Sequence, residues 1–233
     1  KRIADLLWAI ERERRSLAGV VDQAESLRNF LRDEAFSSLT VDPVRLDSVC
    51  TIPSQNGVTL KKSERAGDVP MVNMGEMFRG EVIATDSEYE RVVPPGEKFL
   101  LANGDLLFAR RSIVFEGAGA CCLIPDLNEP FTFESSVIRV RLNAEADPSF
   151  VLHFFRSQRG RGLMASIVRR GPVSGIAGSD LRKLELPVPD LAVQRRIVER
   201  IDVAGLVKPT LRERMTAASA LQRTTSAEVF GGI

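Results

Sequence analysis

The organisation of the chain turns on residues 171–201, which read Gly171-Pro-Val-Ser-Gly-Ile-Ala-Gly-Ser-Asp-Leu-Arg-Lys-Leu-Glu-Leu-Pro-Val-Pro-Asp-Leu-Ala-Val-Gln-Arg-Arg-Ile-Val-Glu-Arg-Ile201. A Gly/Ser loop comes first, a short apolar strand that ends in Pro-Val-Pro follows, and a helix then opens near Gln194. Clusters of glycine, serine and proline separate secondary-structure elements, whereas the apolar spacing after Leu191 is helical. This stretch therefore predicts the point at which a globular domain ends and a long helix begins.

The first 39 residues predict one long helix. Apolar residues recur there at alternating three- and four-residue spacings, and no proline occurs before Pro43. Such a stripe is typical of a coiled coil. The segment from Leu191 to about Phe230 has a similar stripe, although Pro209 predicts a kink near Val207. The predicted coiled-coil positions are Ile3, Leu6, Ile10, Leu17, Leu27, Leu31, Ile197 and Ile201.

Between these helices, short apolar runs alternate with Gly, Pro, Asn and Asp, which is typical of strands and turns. Two short helices are predicted, over Pro148–Arg159 and Gly162–Val168, with a break at Gly160-Arg161-Gly162. The predicted strands are Val69–Asn73, Glu81–Ala84, Asp105–Ala109, Ala118–Ile124, Ser136–Arg141 and Lys183–Pro187. The predicted class is α+β: a mostly-β domain over residues 40–190, flanked by helices 1–39 and 191–233 that form an antiparallel coiled coil.

Composition excludes several classes of protein. The 233 residues contain 44% hydrophobic and 27% charged side chains, no apolar run of about 18 residues, and no charged-then-apolar leader. Three cysteines, two of them adjacent, make a poor disulfide framework, and the single histidine, His153, lies on an apolar run that favours a core position. We therefore expect a cytoplasmic protein with no membrane partner and no metal site.

The net charge of +1 hides an uneven distribution of charge. Residues 41–150 carry 11 basic and 17 acidic side chains, whereas residues 151–200 carry 10 basic and 4 acidic ones. No carboxylate occurs between Asp147 and Asp180, a segment that contains five arginines. Such a segment predicts a positive field that a phosphate backbone could exploit, with a solvated basic helix face as the alternative.

Four segments, taken in order, resemble the DNA specificity subunit of type I restriction–modification enzymes. Val44-Arg-Leu-Asp-Ser-Val-Cys50 resembles the first strand of a target recognition domain, and Asn103-Gly-Asp-Leu-Leu-Phe-Ala-Arg110 is similar to a strand motif of the family. Asp147-Pro-Ser-Phe-Val-Leu-His-Phe-Phe155 resembles the helix that follows an Arg-Leu-Arg-type strand. Leu186-Pro-Val-Pro-Asp-Leu-Ala-Val-Gln-Arg-Arg-Ile-Val198 is similar to the segment that closes the domain, although Asp190 replaces a common proline.

The resemblance implies a function for the whole assembly. A full subunit has two recognition domains, each reading half of a bipartite double-stranded DNA target, and its long helices set the spacing between the halves. The family's partners are methyltransferase subunits, which bring S-adenosylmethionine and methylate adenine N6, and restriction/motor subunits. This chain would supply one recognition domain, paired with a second copy of itself or another recognition domain; Lys1 within the helical pattern fits a missing upstream part. We expect no cofactor in this chain.

The candidate DNA-binding residues are polar or basic side chains in predicted loops. Arginine can pair with the edge of guanine, whereas other donors contact phosphate and fix the position of the protein. The candidates are Lys61, Lys62, Arg65, Arg79, Arg110, Arg111, Ser112, Arg169, Arg170 and Ser174. Solvated surface arginines are the alternative for each position taken singly.

Two other functional classes remain open. One is the recognition end of a fused methyltransferase–nuclease, for which Phe115-Glu-Gly-Ala-Gly119 imitates a methyltransferase motif. Its partner motif, Asn/Asp-Pro-Pro-Tyr/Phe, is absent from the sequence, so we predict a chain without catalytic residues. The other is a coiled-coil dimerisation module with no role in DNA binding.

Overall fold

The computed structural model describes residues 2–63, 65, 67–205, 217, 219–220 and 223, with side chains from residue 7 onward. Residues 35–198 form one compact unit, and the described parts of residues 1–34 and 199–233 form another. The helices are α1 (Arg2–Ser37), α2 (Met74–Met77), α3 (Pro148–Arg156), α4 (Gln158–Ala165), α5 (Gly178–Leu181) and α6 (Leu191–Gly205). The strands are β1 (Pro43–Arg45), β2 (Cys50–Asn56), β3 (Val69–Val72), β4 (Arg91–Val92), β5 (Leu106–Ala109), β6 (Arg111–Ser112), β7 (Cys121–Leu123), β8 (Thr132–Phe133), β9 (Val137–Leu142), β10 (Ser174–Gly175) and β11 (Glu185–Pro187).

Four small sheets make up the scaffold of the larger unit. The largest is antiparallel with the strand order β2-β9-β5-β7, and a mixed sheet has the order β4-β3-β8. Strand β1 pairs with β11, and β6 pairs with β10. Strand β5 is buried at all four positions, as expected for the centre of a sheet that is covered on both faces.

Helix α3 covers the core with aromatic side chains. The ring of Phe155 packs edge-on against Phe108 at 5.1 Å, and Phe36 contacts both Phe150 and Phe154 at 5.2 and 5.5 Å. Asp147 caps the helix by accepting hydrogen bonds from the backbone N–H groups of residues 149 and 150. His153 is only 1% exposed. The predicted helix and the predicted core histidine are therefore confirmed.

The compact unit extends beyond the predicted domain of residues 40–190 at both ends. Phe36 is completely buried among the rings of α3. Gln194 is also completely buried, and its side-chain amide bonds to the backbone at residues 145, 147 and 189. The last turn of α1 and the first turn of α6 thus belong to this globular unit.

Two predicted elements were wrong in detail. Residues Glu81–Ala84 do not form a strand, because their pairing is limited to one bridge between Val82 and Leu123. The helical segment also breaks at Ser157 and not at Gly160, since the Ser157 hydroxyl accepts a bond from the Gly160 N–H and caps α4. Gly160 instead permits close packing, because a Cβ there would lie 1.9 Å from the carbonyl oxygen of Phe154.

In the helical unit, α1 and the end of α6 run antiparallel. Arg28 bonds to Asp202 at 2.8 Å, and Glu34 bonds to Arg200 at 2.7 Å, so residue numbers fall along one helix as they rise along the other. Ile10, Leu17 and Ile201 are buried, as expected of coiled-coil positions. Leu31 and Ile197 are half-buried.

Leu27 differs from the other described coiled-coil positions, since 51% of it is exposed. The side chains of Ile3 and Leu6 and the predicted kink at Pro209 lie outside the described residues. None of the helices in the described part of the chain is both long and apolar enough to span a bilayer.

Candidate nucleic-acid interface

The short β6–β10 ladder brings together two segments that are about 60 residues apart in sequence. Ser112 pairs with Ser174, and Arg111 pairs with Gly175. The Ile176 N–H donates to the Arg110 carbonyl oxygen at 3.0 Å, which continues the contact. Gly175 is required here, because a Cβ at this position would lie 2.9 Å from that carbonyl oxygen. Two predicted DNA-binding segments therefore lie side by side.

Three predicted arginines line one groove at this ladder. Arg110, Arg111 and Arg169 share the groove with residues 173–177. Arg111 is exposed, whereas Arg110 is half-buried and donates to the Ser135 carbonyl oxygen at 3.3 Å. The Arg169 guanidinium, 74% exposed, pairs with Asp180 at 2.8 Å. Because Asp180 offsets only one of the three charges, the groove is positively charged and suited to an anionic ligand.

Arg170 lies on the adjoining hairpin and holds a neighbouring loop. Its guanidinium carbon sits 4.1 Å from the centre of the Phe115 ring, a cation–π contact. The hairpin closes through two backbone bonds between Arg169 and Gly175, of 2.8 and 3.1 Å. The contact thus joins the hairpin to the loop of residues 112–117.

The two predicted serines are less exposed than Arg111 and Arg169. The Ser112 hydroxyl accepts a hydrogen bond from the Val114 N–H at 3.1 Å, so it organises the loop. Ser174 is only 4% exposed. Contact of the Ser174 hydroxyl with phosphate stays a prediction for a residue that the structure buries.

The chain at Phe78 and Arg79 lies close to the loop of residues 112–117. Its guanidinium is 60% exposed and lies 3.6 Å from Glu76. The neighbouring Phe78 packs near residue 117, where a Cβ would lie 3.5 Å from the Phe78 ring and 2.3 Å from the Ser112 hydroxyl. The predicted DNA-binding segments 110–112 and 169–174 and the neighbour of Arg79 therefore meet at the loop of residues 112–117.

The predicted DNA-binding residues Lys61 and Lys62 lie along strand β4, and Arg65 follows them. Lys62 pairs with Val92 by a backbone bridge and with Glu90 by an ion pair of 3.2 Å. The Lys61 carbonyl accepts from the Val93 N–H, and the Arg65 N–H donates to the Asp68 carboxylate. The contacts in the described part of the chain join Lys61, Lys62 and Arg65 to this edge and not to the arginine groove.

The arginine-rich segment also contains arginines that serve the fold. Arg156 donates to the carbonyl oxygens of Cys121 and Gly80, both at 3.0 Å. Arg159 donates to the carbonyl oxygens of Phe36 and Leu39, both at 3.1 Å, which caps the end of α1. Arg161 donates to the Arg156 carbonyl oxygen at 2.7 Å. These three arginines therefore have structural contacts, and the positive field predicted for this segment stays a prediction.

A buried cluster of charges supports the central sheet at the start of strand β5. The Asp105 carboxylate accepts two bonds from Arg141, at 2.6 and 2.8 Å, and one from the Ala102 N–H at 2.8 Å. Arg139, 1% exposed, lies 3.8 Å from the same carboxylate, and burial lowers the pKa of its guanidinium. The cluster was not predicted, although Gly104-Asp105 and Arg139-Val140-Arg141 are its signals in the sequence.

This fold and its arginine groove are those of a recognition module. A mostly-β scaffold presents a positive surface, and in the sequence this scaffold lies between α1 and α6. Residues 39–212 match the family described as type I restriction modification DNA specificity domain, and the chain belongs to that family. It is 26% identical over 185 residues to the EcoKI specificity subunit of Escherichia coli (strain K12), a match that covers 76% of this chain and 40% of that protein.

Solved structures have the same fold. The HsdS subunit from Thermoanaerobacter tengcongensis superposes with a TM-score of 0.60 at 17% identity, over 99% of this chain and 56% of that one. The type I S subunit from M. genitalium gives 0.64 at 13% identity, over 96% of this chain and 58% of that one. This chain thus spans between 40% and 58% of the length of these relatives.

Proposed function

We propose that this chain reads one half of a bipartite double-stranded DNA target for a type I restriction–modification enzyme. The observation that carries the proposal is the clustering of Arg110, Arg111 and Arg169 along one groove of a chain that belongs to the specificity family. Guanidinium groups bind phosphate and, in the major groove, the O6 and N7 acceptors of guanine.

Within this proposal the arginines take different roles according to their contacts. Arg111 is exposed and follows the buried strand β5, so it is the candidate for contact with a base edge. Arg110 donates to the Ser135 carbonyl oxygen and Arg169 pairs with Asp180. These two arginines would add positive electrostatic potential and phosphate contacts that position the domain. Arg170, beside the loop of residues 112–117, extends this surface. Arg79 stays a further candidate, because its neighbour Phe78 packs near this loop.

The helices supply the second part of the proposed function. Antiparallel pairing of α1 with the end of α6 gives a rigid element that fixes the spacing between two recognition domains. The second domain comes from another copy of this chain or from a different domain. Methyltransferase subunits, carrying S-adenosylmethionine for methylation of adenine N6, and restriction/motor subunits would bind these helices in the cytoplasm. This chain would be non-catalytic within that complex.

The test is binding of the assembled complex with its methyltransferase subunits to duplex DNA. Sequencing of methyladenine in cells with and without this protein first identifies the target motif. We expect tight, salt-dependent binding to that motif and weak binding to a scrambled duplex. Arg111→Ala should weaken binding to the motif by about 1–3 kcal/mol and reduce discrimination at one base pair.

Arg182→Ala is the matched control, because Arg182 is an exposed arginine that does not line the groove. This variant should retain the affinity of the unsubstituted complex. Equal affinity of the unsubstituted complex for the motif and for scrambled DNA would refute the proposed function. Failure of the chain to associate with a methyltransferase subunit would also refute it.

A further inference from the structure

Apolar side chains project from the middle of the positively charged surface. Ile113 is 86% exposed, Val114 is 61% exposed and Val173 is 54% exposed. The β6–β10 register, continued by one residue beyond Ser112 and Ser174, places Val173 opposite Ile113. These side chains therefore form an apolar tip beside Arg111, formed by residues 113, 114 and 173. Phosphate contacts alone would not require such a tip.

The loop that carries the tip is held in one conformation. The Ser112 hydroxyl accepts from the Val114 N–H at 3.1 Å, and the Val114 carbonyl accepts from the Gly117 N–H at 3.0 Å. The Phe115 carbonyl accepts from the Ala118 N–H at 3.2 Å, while the Phe115 ring lies against Arg170. Rigid apolar side chains lose little conformational entropy on binding, so their exposure suits a partner that meets them in a fixed position.

The positive charge around the tip favours an anionic partner. A polyanion drawn to Arg110, Arg111 and Arg169 would bring its own groups against the tip. In the major groove of DNA the base edges carry hydrogen-bonding groups, together with the apolar C5-methyl of thymine. β-Branched side chains at the tip are complementary to that methyl group and would strip water from it.

We infer that the apolar tip reads thymine, with Ile113 and Val114 contacting the C5-methyl group of at least one A·T pair in the half-site next to the base read by Arg111. The inference rests on the proposed function, and it specifies the chemistry by which this surface distinguishes bases. The half-site is therefore read by two kinds of contact. Hydrogen bonds from the Arg111 guanidinium read one base pair, and burial of a thymine methyl group reads another.

Replacing thymine by deoxyuridine tests the inference, because this substitution removes only the methyl group. With the assembled complex and the motif found by methyladenine sequencing, each thymine of the half-site is replaced singly. We expect at least one replacement to weaken binding by about three- to fivefold, as expected for one buried methyl group. In the Ile113→Ser/Val114→Ser variant the thymine and deoxyuridine duplexes should bind equally well.

Val93→Ser is the control, since Val93 is an exposed valine, 48% accessible, that directly follows strand β4 and lies outside the apolar tip. It should keep the full thymine preference. Specific binding with no deoxyuridine effect at any position, or a half-site without thymine on either strand, would overturn the inference and leave the proposed function intact. A serine variant that loses a methyltransferase subunit but keeps the thymine preference would also overturn it, because the tip would then bind protein. Loss of all sequence preference in the unsubstituted complex is the separate failure of the proposed function.

Discussion

Asp105 shows what one motif residue contributes to the recognition scaffold. Its carboxylate is completely buried and is shared by Arg141, Arg139 and the Ala102 N–H. The preceding Gly104 has a φ of +81°, a conformation that glycine adopts without strain. Together they join the turn after residue 102 to two neighbouring strands of the central sheet, immediately before the strand that leads to Arg110.

Asp105→Asn should destabilise the chain strongly. The amide keeps the shape of the side chain but removes the charge, so the buried Arg139 and the half-buried Arg141 lose their anionic partner. Breaking one side of a buried pair costs about 3–5 kcal/mol. Urea unfolding of the variant should show a midpoint reduced accordingly. Glu129→Gln, in an exposed ion pair with Arg91, should leave the midpoint nearly unchanged, and equal losses in both variants would contradict this interpretation.

The three cysteines should be unreactive in the folded protein. Burial raises the pKa of the Cys50 thiol to about 12, raises that of Cys122, and raises that of Cys121 well above its usual range. Because the thiolate is the reactive form, alkylation at pH 8 should be slow in the native state and fast in denaturant. Mass spectrometry after a short iodoacetamide pulse should show the unmodified protein. Rapid native alkylation at any of the three would show that its thiol is accessible and ionised.

At the scale of elements, Gln194 anchors the start of α6. Its amide accepts a bond from the Asp147 N–H at 2.7 Å and donates to the carbonyl oxygens of Glu145 and Pro189, at 2.9 and 2.7 Å. The same residue thereby fixes the N-terminus of α3, the chain before it and the turn into α6. This explains physically why a glutamine occurs in the segment Leu186–Val198.

Gln194→Ala should loosen that junction. The substitution leaves one buried N–H and two carbonyl oxygens without their partner, and each such group costs about 1–3 kcal/mol. Hydrogen exchange should accelerate at residues 147–150 and 190–198 more than in strand β5. Arg196→Ala, on an exposed position of the same helix, should leave exchange unchanged. Uniform acceleration across the whole chain would argue against a local anchor.

The sequence predicted elements that carry a clear local signal. Helix α1 was correctly predicted because its apolar spacing is sustained, and strand β5 because the turn residues Asn103 and Gly104 precede a short apolar run. Glu81–Ala84 has the composition of a strand but pairs through a single bridge, since strand formation depends on a neighbour that local sequence does not reveal. The Ser157 break was missed because Gly160, a close-packing glycine, looks like a helix breaker.

The sequence predicted which segments contain the candidate residues, but not that these segments form one surface. Sequence indicated Arg110, Arg111 and Arg169, but their convergence depends on the pairing of β6 with β10, a contact between distant residues. Charge counting could not identify arginines with structural contacts, because Arg156 and Arg159 donate to backbone carbonyl oxygens that carry no sequence signal. The exposed tip at Ile113 and Val114 escaped notice because apolar residues are usually read as core.

At the scale of the whole molecule, α1 exposes apolar side chains that monomeric packing does not explain. Leu27 is 51% exposed and Phe30 is 64% exposed, and their spacing of three residues places them on the same side of the helix. Both precede the residues that α1 contributes to the globular unit. In the proposed complex this side of α1 would be covered by another subunit, because clustered exposed apolar groups mark interfaces.

Leu27→Ser/Phe30→Ser should therefore weaken assembly without unfolding the chain. Removing two apolar groups from the centre of an interface commonly costs about tenfold or more in affinity, whereas removing them from a solvated helix face costs the monomer little. Titration of this chain with its methyltransferase subunit, followed by calorimetry, should show the loss of affinity, and circular dichroism should show an unchanged melting temperature. Val93→Ser, an exposed valine of the globular unit, should bind as the unsubstituted chain does. If both variants assemble equally well, this side of α1 faces water in the complex, and the methyltransferase subunit docks elsewhere.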